Sequence, residues 1–124
     1  MDDIAITRIM PNSLEAEQSV IGSMLMDKQA IISAGEILSA DDFYHRQYGI
    51  MFQAMVDMNN AAKPVDIVTL QEALKEKDVP PEVYSLEFIR ELLAAVPTSA
   101  NIRHYATIVK DLSLIHILRF RRYS

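Results

Sequence analysis

The side chains best suited to chemistry in this sequence are three histidines, His45, His104 and His116, and two acids, Asp41 and Asp42, just ahead of the first of them. An Asp-Asp-x-x-His run could hold or move a proton. Aspartates at the start of a helix more often cap its free N–H groups and favour the positive end of its dipole, and the cap is the reading adopted here. The histidines have neither the i, i+4 spacing nor the acidic partners of a zinc-binding helix, so no metal ligand is expected. The chain has no cysteine, which removes disulfides, thiolate nucleophiles and cysteine-based zinc sites. Its three glycines, Gly22, Gly35 and Gly49, stand far apart. A phosphate loop needs clustered glycines followed by Lys-Ser or Lys-Thr, and none is present. No catalytic constellation assembles. The expectation is a chain without enzymatic activity of its own, with no catalytic, cofactor-binding or metal-binding residue.

The elements that must carry these residues read as helices. Strand signals are nearly absent; the clearest is "PVDIV" at 64–68, and it leads into a helical pattern. A first helix is expected over 13–27, with Asn12 and Glu15 in the form of a capping box and Leu14, Ile21 and Leu25 on one face. Gly22 inside it costs about 1 kcal/mol against alanine and suggests a neighbouring backbone drawn close. A short helix follows over 29–38. The "SADDFY" stretch, rich in N-cap residue types, then breaks the pattern. Tyr48, Met51, Phe52, Met55 and Val56 make a wide apolar stripe on a helix over 44–61, ended by "NNAAKP" because the residue before proline avoids helical geometry. Asp66 is expected to cap a helix over 67–77. "KDVPPEVY" reads as a loop, and Ser85 is expected to cap a helix over 85–96 with Leu86, Ile89, Leu92, Leu93 and Val96 inward. A last helix begins near Ser99, with Ile102, Tyr105, Ala106, Val109 and Leu112 at helical spacing. This pattern predicts a small all-α domain, a compact bundle of five to six helices.

Composition narrows the class. The 124 residues are 50% apolar, enough for one domain with a real core. The formal charge is −5, but residues 113–124 hold Arg119, Arg121 and Arg122 and no acid. Residues 1–112 therefore carry nine basic and seventeen acidic side chains, a charge of −8. An acidic body argues against non-specific binding to phosphate backbones. The opening "MDDIAITRIM" lacks the basic and apolar pattern of a secretory signal. No run approaches the ~18 apolar residues of a membrane span. A cytoplasmic chain without membrane contact is the expectation.

Particular words go further than periodicity. "PNSLEAEQSVIGSMLMD", "DFY", "MFQAM", "KPVDIVTLQEAL" and "AAVPTSANIRHYATIVKD" occur in this order and spacing. Together they resemble the N-terminal domain of the DnaB-type bacterial replicative helicases, over about residues 8–112. The resemblance implies a helical head followed by a long helical hairpin, set in a family of hexameric, ATP-driven enzymes that unwind DNA 5′ to 3′. In that family the hairpins pair between subunits, and the collar they form receives primase and, in some bacteria, a helicase loader. ATP, Mg and most DNA contact belong to a RecA-like motor domain that is absent from this sequence. The implied organisation is an N-terminal arm at 1–11, a head at 12–97 and the first arm of an incomplete hairpin at 98–112. Ile102, Tyr105, Ile108, Val109 and Leu112 offer more apolar surface than one face on a small head requires, so some of them are expected to meet another chain.

Residues 113–124 depart from the family pattern, where charge-mixed helical sequence should continue. "LSLIHI" is also what one reading frame of a common transposon-end sequencing adapter encodes. The expectation is a gene cut within its first hairpin arm and joined to foreign sequence, with helix carried on through Leu112–Leu118. The function expected is a non-catalytic oligomerisation and partner-docking domain of a replicative helicase. Two alternatives stand beside it: a nucleic-acid-binding protein using the arginine-rich tail, and a standalone regulator of helicase or primase.

Overall fold

A computed structural model describes the backbone of residues 13–96 and 101–122, and the side chains of 13–96 and 101–115. Among the described residues there are six α-helices and no strand: α1 (Leu14–Met26), α2 (Lys28–Ile37), α3 (Arg46–Asn60), α4 (Ile67–Lys75), α5 (Leu86–Ala94) and α6 (Ile102–Arg122). Two short 3-10 turns, Ala40–Asp42 and Pro81–Tyr84, sit between α2 and α3 and between α4 and α5. The fold is the all-α bundle that the apolar spacing predicts. The β-like run at 64–68 resolves into irregular Pro64 and Val65, an extended Asp66 and the first turn of α4.

Local signals explain most helix starts. Asp66 accepts from the Thr69 amide, and the Thr69 hydroxyl oxygen accepts in turn from the Asp66 amide, closing a capping box. Ser85 accepts from the Phe88 amide, and Asp27 accepts from the Gln29 amide at the start of α2. One expected cap moves, and one helix starts later than expected. At α1 the cap is Ser13, whose hydroxyl accepts from the Ala16 amide at 3.1 Å, rather than Asn12, which lies outside the described residues. At α6 Asn101 accepts from the Arg103 and His104 amides, so the helix opens past Ser99. The "KDVPPEVY" loop contains a 3-10 turn, with Pro81 at its first position where no N–H is needed. The end of α3 is closed by Ala62 at φ 59°, with the Lys63 amide donating to Met58 and the Ala62 amide to Asn59. That is the Schellman closure, made here without the usual glycine.

α1 is the central element, packed against α2, α3, α5 and α6. The core holds Ile21, Met24, Met51, Met55, Leu70, Leu74, Ile89 and Leu92, all fully buried. Burying each such side chain contributes about 1.5–3 kcal/mol before entropy. Leu14 and Leu86, both expected inward, are 47% and 42% exposed because each occupies the first position of its helix, beyond the edge of the core. Gly22 lets α1 lie against the end of α5: a Cβ there would run into Val96 and stand 3.4 Å from the Leu92 carbonyl. At Gly49 a Cβ would stand 2.6 Å from the Ala40 carbonyl, so α3 and the first 3-10 turn need that glycine to meet.

Candidate docking surface

Two buried carboxylates position the parts of this surface. Glu17, on α1, is 2% exposed. It accepts from the Tyr44 amide at 2.8 Å and the His45 amide at 3.2 Å, and it pairs with His45 Nδ1 at 2.9 Å. One acid therefore satisfies the free N–H groups where α3 begins and fixes that corner to α1. The histidine next to Asp41 and Asp42 is thus tied to a third acid, which its sequence neighbours conceal. Tyr48, one turn further on, accepts at its hydroxyl oxygen from Gln18 Nε2 at 3.1 Å. Its phenol is pushed above its ordinary range by burial first, with the negative charge of Glu17 adding to that and the Gln18 bond opposing it.

Asp42 is the second buried acid, at 8% exposure. Rather than capping α3, the role expected from the sequence, it closes a capping box on the first 3-10 turn, where the Ser39 amide donates to its Oδ2 at 2.8 Å. It also reaches the last helix, accepting from the Ser113 hydroxyl at 2.7 Å and from Lys110 Nζ at 3.2 Å. Burial would raise its carboxyl, but the Ser39 amide, the Ser113 hydroxyl and Lys110 together outweigh burial and hold it below the usual aspartate range.

α6 presents two stripes. Ala106, Val109 and Ser113 fall at i, i+3 and i+7 and are buried against the head. Tyr105, Ile108, Leu112 and Ile115, at i, i+3, i+7 and i+10, run along its flank and stay half-buried. Ile102, Tyr105 and Ile108 touch the edge of the core. Of the five residues singled out for another chain, Val109 is 2% exposed and belongs to the head core. Its side chain has no surface left to offer. Ile102, Tyr105, Ile108 and Leu112 keep part of theirs. Ser113, the first residue of the tail expected to be foreign, is one of the anchors of α6, and helix continues past Leu118 to Arg122. The remaining tail side chains, Arg119, Arg121 and Arg122 among them, lie outside the described ones.

Chemistry elsewhere is sparse. His104 stands edge-on to the Tyr105 ring at 5.3 Å, and the His116 side chain lies outside those described. Among the described residues no group of three or more His, Asp or Glu could hold a metal ion. No described helix is long and apolar enough to cross a membrane. A groove of about 480 Å³ between the first 3-10 turn and α3 gathers Phe43, Tyr44, Arg46, Ile50 and Lys77, with no nucleophile beside a base. Sequence reasoning missed Glu17, Lys110 and Ser113. The signals were there: an acid one helical turn inside α1, and a lysine and serine three apart in line with Ala106.

Comparison with known proteins matches this geometry to a family. The family model described as "DnaB-like helicase N terminal domain" matches residues 9–111. The replicative DNA helicase DnaB of Geobacillus stearothermophilus is 37% identical over 118 residues, which cover 95% of this chain and 26% of that protein. The replicative DNA helicase DnaC of Bacillus subtilis is 35% identical with the same coverage. The chain thus spans about a quarter of the length of these curated relatives. Among solved structures, the N-terminal domain of DnaB helicase from Mycobacterium tuberculosis superposes with a TM-score of 0.81 at 34% identity, covering 87% of this chain and 78% of that one. The N-terminal domain of the Helicobacter pylori DnaB helicase, described together with its interactions with primase, superposes at 0.75. At 21% identity over 88% of this chain and 85% of that one, it speaks for the fold alone. The six-helix fold built on α1 is therefore a family architecture, and the chain belongs to the DnaB-like helicase N-terminal domains.

Proposed function

We propose that this chain acts as a non-catalytic oligomerisation and docking domain of a replicative DNA helicase. The observation that carries the reading is the family match over residues 9–111. The half-buried flank of Ile102, Tyr105, Ile108 and Leu112 supports it, because apolar surface left partly open on a helix suits a partner chain. In this reading the flank meets the same arm of another subunit, and the assembled collar receives primase and, where one exists, a helicase loader. The chain itself binds no ATP or Mg and unwinds nothing; those belong to a motor domain on the same polypeptide of the full-length family, at replication forks in the bacterial cytoplasm. DNA contact also falls chiefly to that motor.

Titration of the purified chain with the primase of its own organism, followed by calorimetry, tests the reading. Saturable binding is expected, together with no ATP turnover in a parallel assay. Absence of any heat at high protein concentration, or measurable ATPase activity, would overturn it. Binding to single-stranded DNA that weakens steeply with salt would instead favour the arginine-rich tail as the working part.

A further inference from the structure

Beyond Val109 the hold of the head on α6 changes in kind. Up to that residue the buried contacts of α6 are apolar, through Ala106 and Val109, while the ion pair of Arg103 with Glu36, at 2.7 Å, lies exposed on the surface. One turn later the attachment is polar. The Asp42 carboxylate takes the Ser113 hydroxyl at 2.7 Å on one oxygen and Lys110 Nζ at 3.2 Å on the other. The same carboxylate is held on the head side by the Ser39 amide at 2.8 Å and the Ser39 hydroxyl at 3.3 Å. The 3-10 turn and α6 thus share one buried anion across a sequence separation of 71 residues. Ser113 is the last buried residue among the described side chains; Leu114 is 48% exposed.

We propose that Asp42 is a clasp that sets how far α6 stays seated on the head, and so where the arm departs from it. A helix beyond its last tertiary contact is supported only by its own backbone, and short stretches of that kind are marginal in water. With the clasp closed, seated helix runs to Ser113. With it open, the last firm contact retreats one turn to Val109, and residues 110–115 become free to unwind or change direction. Both bonds of the clasp are charge-assisted, the stronger class of hydrogen bond, and the one from Ser113 is buried. Lys110 is itself part-exposed, so Ser113 is the tighter half of the clasp and Lys110 the more easily displaced. The inference concerns the joint between head and arm and stands whether or not the docking reading above holds.

Hydrogen–deuterium exchange of the whole chain tests it. Ser113→Ala and Lys110→Met each open one side of the clasp while leaving the Asp42–Ser39 cap intact, so the head keeps its fold. The double variant is expected to exchange the amides of residues 110–115 about tenfold faster or more, with those of α1 and α3 unchanged. Asp42→Asn should reproduce the effect, with some added loosening of the first 3-10 turn. Unchanged protection at 110–115 in the double variant would overturn the proposal. So would a uniform loss of protection across α1, α3 and α6, which would mean that the cluster merely stabilises the whole head.

Discussion

The head and the arm bury different things. In the head the fully buried positions are large: Ile21, Met24, Met51, Met55, Leu70, Leu74, Ile89 and Leu92. Along α6 the buried positions are small, namely Ala106, Val109 and Ser113, while the bulkier Tyr105, Ile108 and Leu112 stay half-open on the flank. Large side chains that interdigitate make a unit that folds by itself. Small ones let a helix lie close and be held without using its big apolar groups. The polar clasp at Asp42 fits that division, since it adds hold at the far end of the seated stretch without consuming the flank. α6 is thus attached in a way that leaves the flank of Tyr105, Ile108 and Leu112 half-exposed.

The division can be broken from either side. Ile21→Ala removes a fully buried side chain from the central helix α1, and should cost the head about 2–5 kcal/mol by denaturant unfolding, with all helices melting together. A loss confined to α6 would show that the head core lies elsewhere. Asp42→Asn should cost about 1.5–3 kcal/mol at neutral pH, and that cost should depend on pH. The folded-state carboxyl titrates below its ordinary value. Its stabilisation is therefore complete above the unfolded value, about 4, and is lost as the pH falls through the lower folded one. The gap between wild type and variant should close in acid; a gap that widens there would reverse the sign of the argument. Leu112→Ala, on the open flank, should change stability by less than about 1 kcal/mol, read from the same unfolding curves. A large loss would mean that the flank already belongs to the head core.

Much of this was legible from the residues alone. The apolar stripes locate all six helices, and Asp66 and Ser85 cap where their types and positions predict. Gly22 serves the close approach that a glycine inside a helix suggests. The misses share a cause. Cap chemistry is short-ranged, so Asn12 and Ser13 compete for one start, and Asn101 outruns Ser99, on differences of one or two residues. Glu17, Asp42, Lys110 and Ser113 are polar residues whose partners stand 27 to 71 positions away, and periodicity has nothing to say about a pairing of that span. Val109 illustrates a finer limit. Helical spacing groups it with Tyr105 and Leu112, but a turn of about 100° per residue separates neighbouring stripes only once it is known which one faces the head. Ser113 carries the same lesson in reverse: a change in composition near it says nothing about which residue there is anchored.

The central claim is that α6 turns one stripe to its own head and keeps the other for a partner. A concentration series of amide correlation spectra on the isotope-labelled chain tests it most directly. Pairing through a single arm should be weak, so the account predicts progressive shifts at Tyr105, Ile108 and Leu112 as the protein is concentrated, with Ala106 and Val109 and the helices of the head core unmoved. Shifts centred on α4 or on the groove beside Tyr44, or a tight dimer already complete at the lowest concentration, would contradict it.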